Sequence, residues 1–446
     1  MASDVPVKRR GEEPALRGTA GPGAHTLALL CALSVGSLLT SGCDEERDVA
    51  PPGAVFTLRD SAGLVVAESS GALWEESPHL RWTVDTVPLL QVGEVEDSLF
   101  ARVYPVASAV RLEDGRLVVA GQRHTILWHG EDGSFLFEGG RQGDGPGELR
   151  SVGKLVATGA DSIAVYDASR RRWVMFDGAG NPQPYRLSAL DCSLLKSARG
   201  PDGRWLGWCV RIRRGGEPTT GAAEARGGAL ELSAGGSQGG ASESLHEYRL
   251  IAVTQDGTRL DTVAVLVVPR PYTISAAPVF APVGSEIVLG DGHEHALTAL
   301  TPEGVPVRSI RWAGEDLTVP PADHARWRQS AMMMRDARVQ ITSQPYDPNL
   351  EELRREAFAR ARLPERKGAF RGVAGDPDGA LWVQLNRFYD DPEIYSVLTP
   401  EGRYLGEVTM PRNLHVTQIG RDFVLGLWWD EDTDLEFVRL HRLLKP

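Results

Sequence analysis

The chain has 446 residues, 42% of them hydrophobic and 24% charged, a balance that sustains a sizeable globular core. Its net charge of −12 argues against a duplex nucleic-acid binder, which needs a basic face to displace counterions. With 49 glycines and 29 prolines the chain must turn often, as an architecture of short strands does.

Residues 1–42 have the form of an export signal. Lys8, Arg9, Arg10 and Arg17 make a basic start, and Leu27–Leu39 is an apolar run too short for a permanent span of a bilayer core about 30 Å thick. The run ends in Leu39-Thr40-Ser41-Gly42-Cys43, which resembles the lipobox of bacterial lipoproteins. That resemblance implies cleavage before Cys43 and acylation of its thiol. Residues 43–53, acidic from Asp44 to Asp48 and broken by Pro51-Pro52-Gly53, read as a solvated tether.

From residue 54 to 446 the pattern is β. Pro88–Ala120 and Ser134–Asp167 share an order: apolar strand, glycine, polar loop, short strand, turn and alternating strand. Gly93 aligns with Gly139, and Leu117 with Ile163, at the same offset. Self-similarity at such a period, built from short strands, marks a radial array. Strands recur after Asp114-Gly115, Asp161-Ser162, Asp202-Gly203, Ser285, Asp378-Gly379 and Arg421-Asp422. Further turns stand at Asp132-Gly133, Gly178–Asn181, Asp256-Gly257, Glu303-Gly304 and Glu401-Gly402, and Asp-Gly between alternating strands is a strong hairpin signal. Six units result, of about 47 residues each once two insertions are set aside, within the range of propeller blades. The last unit lacks a strand, which Leu80–Gly93 would supply, closing the ring and leaving no unpaired edge between blades. The expected fold is an all-β six-bladed β-propeller with terminal strand closure and a small helical insertion.

Past Cys43 only Cys192 and Cys209 remain. Outside the cytoplasm such a lone pair more often forms a disulfide than a reactive thiol, with two buried thiols as the alternative. Residues 213–245, rich in Gly, Ala and Ser, read as a low-complexity hairpin extension of unit three. Residues 321–362 carry two helical patterns that would lie over one face of the disc, Met332 to Met334 serving chiefly in packing.

Several motifs invite chemistry. Gly140–Val152 (GRQGDGPGELRSV) has the glycines of a phosphate loop but neither its lysine nor its hydroxyl. The residues after it read as β, so no helix N-terminus awaits an anion. It reads instead as a blade-to-blade connection, with Asp144 and Glu148 facing solvent or a partner. Gly235–Gly239 matches GxSxG only literally, since a nucleophile elbow needs a strand-to-helix turn. His293-Glu294-His295 could present two imidazoles to a metal but lacks further ligands, and reads as an exposed turn. Asp430, Asp432 and Asp434 alternate like the start of a calcium loop, yet Leu435 and His441 stand where its glycine and glutamate belong. The tryptophans sit on or beside strands and read as packing between blades.

The segments Asp60–Ser69 (DSAGLVVAES), Gly140–Leu149 and Asp376–Gln384 (DPDGALWVQ) together resemble the six-bladed β-propeller lipoproteins of environmental bacteria, related to the NHL-repeat class. The resemblance covers nearly all of the chain from Asp60 onward and implies a fold, not an activity. The resulting expectation is a lipid-anchored propeller on the extracytoplasmic side of a bacterial envelope. It would act as a monomeric binding scaffold for an envelope protein, peptide or glycan and meet the membrane only through its anchor. No catalytic, cofactor or metal residues are assigned. The alternative is a metal-dependent hydrolase, lactonase or lyase with a divalent cation at the central channel, to which Asn386 would be a candidate ligand.

Overall fold

The computed structural model describes Val55 to Pro446 apart from residues 94–102, 104, 122–123, 184–191, 193, 214–229, 234–244, 255–256, 258, 270–276, 331, 333–351, 353–355, 357–362 and 434. Six antiparallel sheets, blades I to VI, form the propeller. Their innermost strands are Val106–Arg111, Leu155–Ala157, Leu194–Arg199, Val279–Val283, Phe370–Gly375 and Leu414–Ile419. The inner strands of neighbouring blades meet around the axis. As expected, the ring closes on itself: Thr83–Val92 pairs with Leu435–Leu444 as the outermost strand of blade VI.

Burial explains each strand's composition. The second strand of blade I, Leu117–Gly121, is buried at every position, because neighbouring blades cover both of its faces. It is accordingly an unbroken apolar run. The outermost strand, Phe135–Gly139, leaves three of its five residues exposed and carries Glu138. Connections between first and second strands, and between third and fourth, span only two to six residues. Gly115 and Gly133 sit in two of them at φ +89° and +82°, a conformation that disfavours any residue with a Cβ. The remaining connections emerge from the opposite face, here termed the upper face.

Aromatic pairs fill five blade interfaces. Trp128 meets Phe176 between I and II, and Trp173 stacks on Trp205 at 4.0 Å between II and III. Trp208 meets Phe280 between III and IV, Trp312 meets Phe370 between IV and V, and Trp382 meets Trp82 between V and VI. At the closing interface Arg111 lies over the Phe423 ring. All of these tryptophans except half-buried Trp82 are buried core where blade meets blade.

Three features depart from the sequence reading. Within 213–245, Leu230–Ser233 is a strand that pairs parallel with Leu260–Pro269 at the outer edge of blade III; a hairpin would pair antiparallel, and the rest of the segment lies outside the described residues. The segment Phe56–Ser61 and Leu64–Ser69 forms a hairpin that extends blade IV outward, pairing parallel with Pro306–Trp312. Of the two helical patterns, the first is one short helix over 324–330 after a 3-10 turn, Pro321–Asp323. In the second, Glu352 and Glu356 are helical, and the remainder lies outside the described residues. No helix among the described residues is long and apolar enough to cross a membrane.

Candidate functional site at the upper face

The glycine-rich connection leads from blade I into blade II. Gly143, at φ +157°, has no Cβ to obstruct Glu148, whose carboxylate folds back over it. One Glu148 oxygen accepts from the Gly145 amide at 2.8 Å and the other from Arg141 at 2.7 Å. The amide, then the guanidinium, holds this acid below the usual carboxylate range. Asp144 is pinned by Arg150 and Arg170 at 2.8 and 2.6 Å, and their hydrogen bonds hold its carboxyl far below its ordinary value. Underneath, fully buried Asp167 accepts from the amides of Arg150, Ser151 and Arg170. The sequence reading left the two acids to solvent or a partner; here arginines within the loop and on blade II neutralise them.

The described start of the helical insertion and the residues flanking it are locked onto blade V. Lys367, nearly buried, donates to Glu315 at 2.8 Å and to the Asn386 carbonyl at 3.2 Å. Arg387 donates to the other Glu315 oxygen. Trp327 packs on Phe388 with ring centroids 4.3 Å apart, and Arg326 covers the same Phe388 while pairing with Asp390 and Asp391. The Tyr389 amide donates to Ser330. Asn386 is buried in this contact. Met332 is helical, whereas Met333 and Met334 lie outside the described residues.

Nearer the axis, buried Glu393 links blades V and VI. It accepts from the Tyr395 hydroxyl at 2.9 Å and the Val416 amide at 3.3 Å, with His415 Nδ1 at 3.3 Å and Arg371 at 3.6 Å. Burial drives the Tyr395 phenol well above its usual range. The His415 ring lies against Tyr389. Glu436 accepts from the Val106 amide of blade I at 3.1 Å, and desolvation pushes its carboxyl up. A carboxylate that orients an imidazole beside a guanidinium can hold an anion or direct a proton.

Of the sequence motifs, His295 differs most from expectation. It is half-buried beneath Trp312 and beside Gly314, and desolvation pushes its imidazole down. The expected exposed turn is instead covered by the residues at the two ends of the connection between blades IV and V, Gly314 and Lys367 among them. Asp430 caps the exposed turn 431–433 through the Asp432 amide, and Asp434 lies outside the described residues, as do Cys43 and Gly235–Gly239. Among the described residues no three His, Cys, Asp or Glu side chains stand where they could hold one metal ion. Cys192, just before the first strand of blade III, is joined by a disulfide to Cys209 on the second, with Cα atoms 5.8 Å apart. Sequence reasoning missed Lys196, Arg371 and His415 on the inner strands and Lys154 immediately before one. Lys154, Arg371 and His415 each lie seven residues before the next acidic turn (Asp161, Asp378 and Asp422), and Lys196 six before Asp202, a regularity that would have found them.

The fold and this face define the class: a six-bladed β-propeller with an elaborated upper surface. No family model matches the chain, and no curated protein matches it. Solved structures do resemble it. One is a member of the duf4221 family from Bacteroides vulgatus, at 10% identity, covering 82% of this chain and 99% of that one, with a TM-score of 0.46. Another is a protein described as exported from Bacteroides fragilis, at 11% identity, 82% and 95% coverage and a TM-score of 0.41. A third is virginiamycin B lyase from Staphylococcus aureus, at 10% identity, 81% and 99% coverage and a TM-score of 0.39.

Proposed function

We propose that the protein is a lipid-anchored, extracytoplasmic binding scaffold, similar to the propeller lipoproteins of environmental bacteria related to the NHL-repeat class, whose upper face recognises an envelope protein, peptide or glycan. The observation that carries this is the asymmetry of the disc. Connections on the lower face span two to six residues, whereas the upper face carries the glycine-rich loop and the described ends of the long connection between Trp312 and Phe370. Long loops on a rigid scaffold are where binding resides. The Lys367–Glu315–Arg387 bridge and the Trp327–Phe388 contact hold the described ends of this connection on blade V, so the ordering cost of those residues is met before a partner arrives. The Cys192–Cys209 disulfide suits an oxidising compartment, and the Leu39–Cys43 sequence supplies the anchor.

Two measurements test this. Metabolic labelling with an alkyne fatty acid should mark the full chain and not Cys43→Ser. Crosslinking in intact envelopes from cysteines placed on each face should yield adducts from the upper face. Adducts arising equally from lower-face positions would refute the assignment of the surface.

A further inference from the structure

We propose that the upper end of the central channel is a binding site for a small oxyanion, a carboxylate or phosphate group, formed by Lys154, Lys196, Arg371 and His415. These residues come from blades II, III, V and VI, and each lies just before or within the first three residues of its inner strand. In a chain of net charge −12, the same positions of the six inner strands hold four basic residues and no acid. Blades I and IV contribute apolar or small residues there, Val106 to Ser108 and Val279 to Ala281. This small-anion site is additional to the lipid anchor and the macromolecular partner proposed above.

Lys196 shows that the arrangement is built. Its backbone is left-handed, at φ +49°, within a stretch where the inner strand of blade III shifts register between Leu195 and Ala198. A lysine rarely adopts this conformation, and bulges of this kind re-aim side chains beside functional sites. The result carries its ammonium past blade IV to the Arg371 carbonyl of blade V, 3.0 Å away. Lys154 stands at the matching place in blade II, immediately before the inner strand, where water reaches it, and desolvation pushes its ammonium down. No ion pair joins it to a carboxylate among the described residues. An anion seated beside it would restore the lost solvation of that charge.

Two acids approach the group. Glu393 accepts from Tyr395 and Val416 and pairs with His415 and Arg371, and Glu436 accepts from the Val106 amide at the head of blade I; among the described residues neither is paired with Lys154. A guanidinium and ammonium groups arriving from several directions suit an oxyanion, which accepts several charge-assisted hydrogen bonds at once.

The test is calorimetric titration of the purified full chain with malonate and, separately, inorganic phosphate at fixed ionic strength. Saturable binding of either is expected, and the arm that binds identifies the anion. Lys154→Met and Lys196→Met should each weaken it at least about tenfold. Lys154→Arg should retain it, and Arg259→Met, on the outer rim, should leave it unchanged. Melting temperatures of all variants show that the ring is intact. Saturation by neither anion, or undiminished affinity in both methionine variants, would overturn the proposal.

Discussion

Replacing Asp167 tests how the glycine-rich connection is held. The carboxylate is wholly buried and accepts from the amides of Arg150, Ser151 and Arg170 and from the Ser151 hydroxyl, at 3.0 to 3.3 Å. Asp167→Ala orphans three amides, each costing about 1 kcal/mol at a site that water partly reaches, or about 3 kcal/mol together. Taken over the roughly 300 described residues, unfolding entropy near the midpoint is about 0.6 kcal/mol/K, so Tm should fall by about 5 °C. Asp167→Asn keeps an acceptor at Oδ1 for Ser151 and Arg170 but turns an NH2 towards the Arg150 amide, and should fall about half as far. Differential scanning calorimetry reads Tm, and limited proteolysis between Gly140 and Val152 reads the loop itself. A fall of less than about 1 °C in Asp167→Ala with unaltered proteolysis would show that the loop does not depend on this carboxylate.

Trp173→Ala or Trp205→Ala should each destabilise the protein by about 3–5 kcal/mol, and the double variant should cost less than the sum because the rings stack on each other; thermal denaturation of the three variants checks this. Hydrogen bonds from Arg150 and Arg170 favour the ionised form of Asp144, so its stabilising contribution is complete above its ordinary 3.8 and fades as pH falls towards the depressed folded value. The Tm gap between the native chain and Asp144→Asn should therefore be widest near neutrality and close on acidification below about pH 3. A gap that widened in acid would contradict the pairing. Opening the 17-residue Cys192–Cys209 loop with Cys192→Ser/Cys209→Ser should cost about 3 kcal/mol by chain entropy, measured as a drop in Tm that reductant reproduces in the native chain and not in the variant.

The ring was legible in the sequence because its lower turns are local. Asp114-Gly115, Asp378-Gly379 and their kin declare themselves within four residues, and the common offset counts the blades. Thr83–Val92 could be placed because a strand was missing from blade VI. Leu230–Ser233 could not, since its partner is chosen by a parallel pairing about 30 residues away rather than by a turn. The docking of Phe56–Ser69 onto blade IV was hidden for the same reason. The basic residues at the channel were visible as letters at a fixed distance before each turn. What converts that spacing into a site is the closure of the ring, and in blade III a bulge that no local motif announces.

Ring closure also sets an order of events. Gln91 and Arg439 meet across the closing seam although they are 348 positions apart in the chain. At about 5–20 residues per second, Thr83–Val92 waits tens of seconds during synthesis before Leu435–Leu444 exists to pair with it. Meanwhile Val87 and Leu89, which stay exposed even in the finished fold, sit on a strand with no partner, a ready template for the wrong edge. The last blade is thus both the final step of folding and the one on which the other five depend.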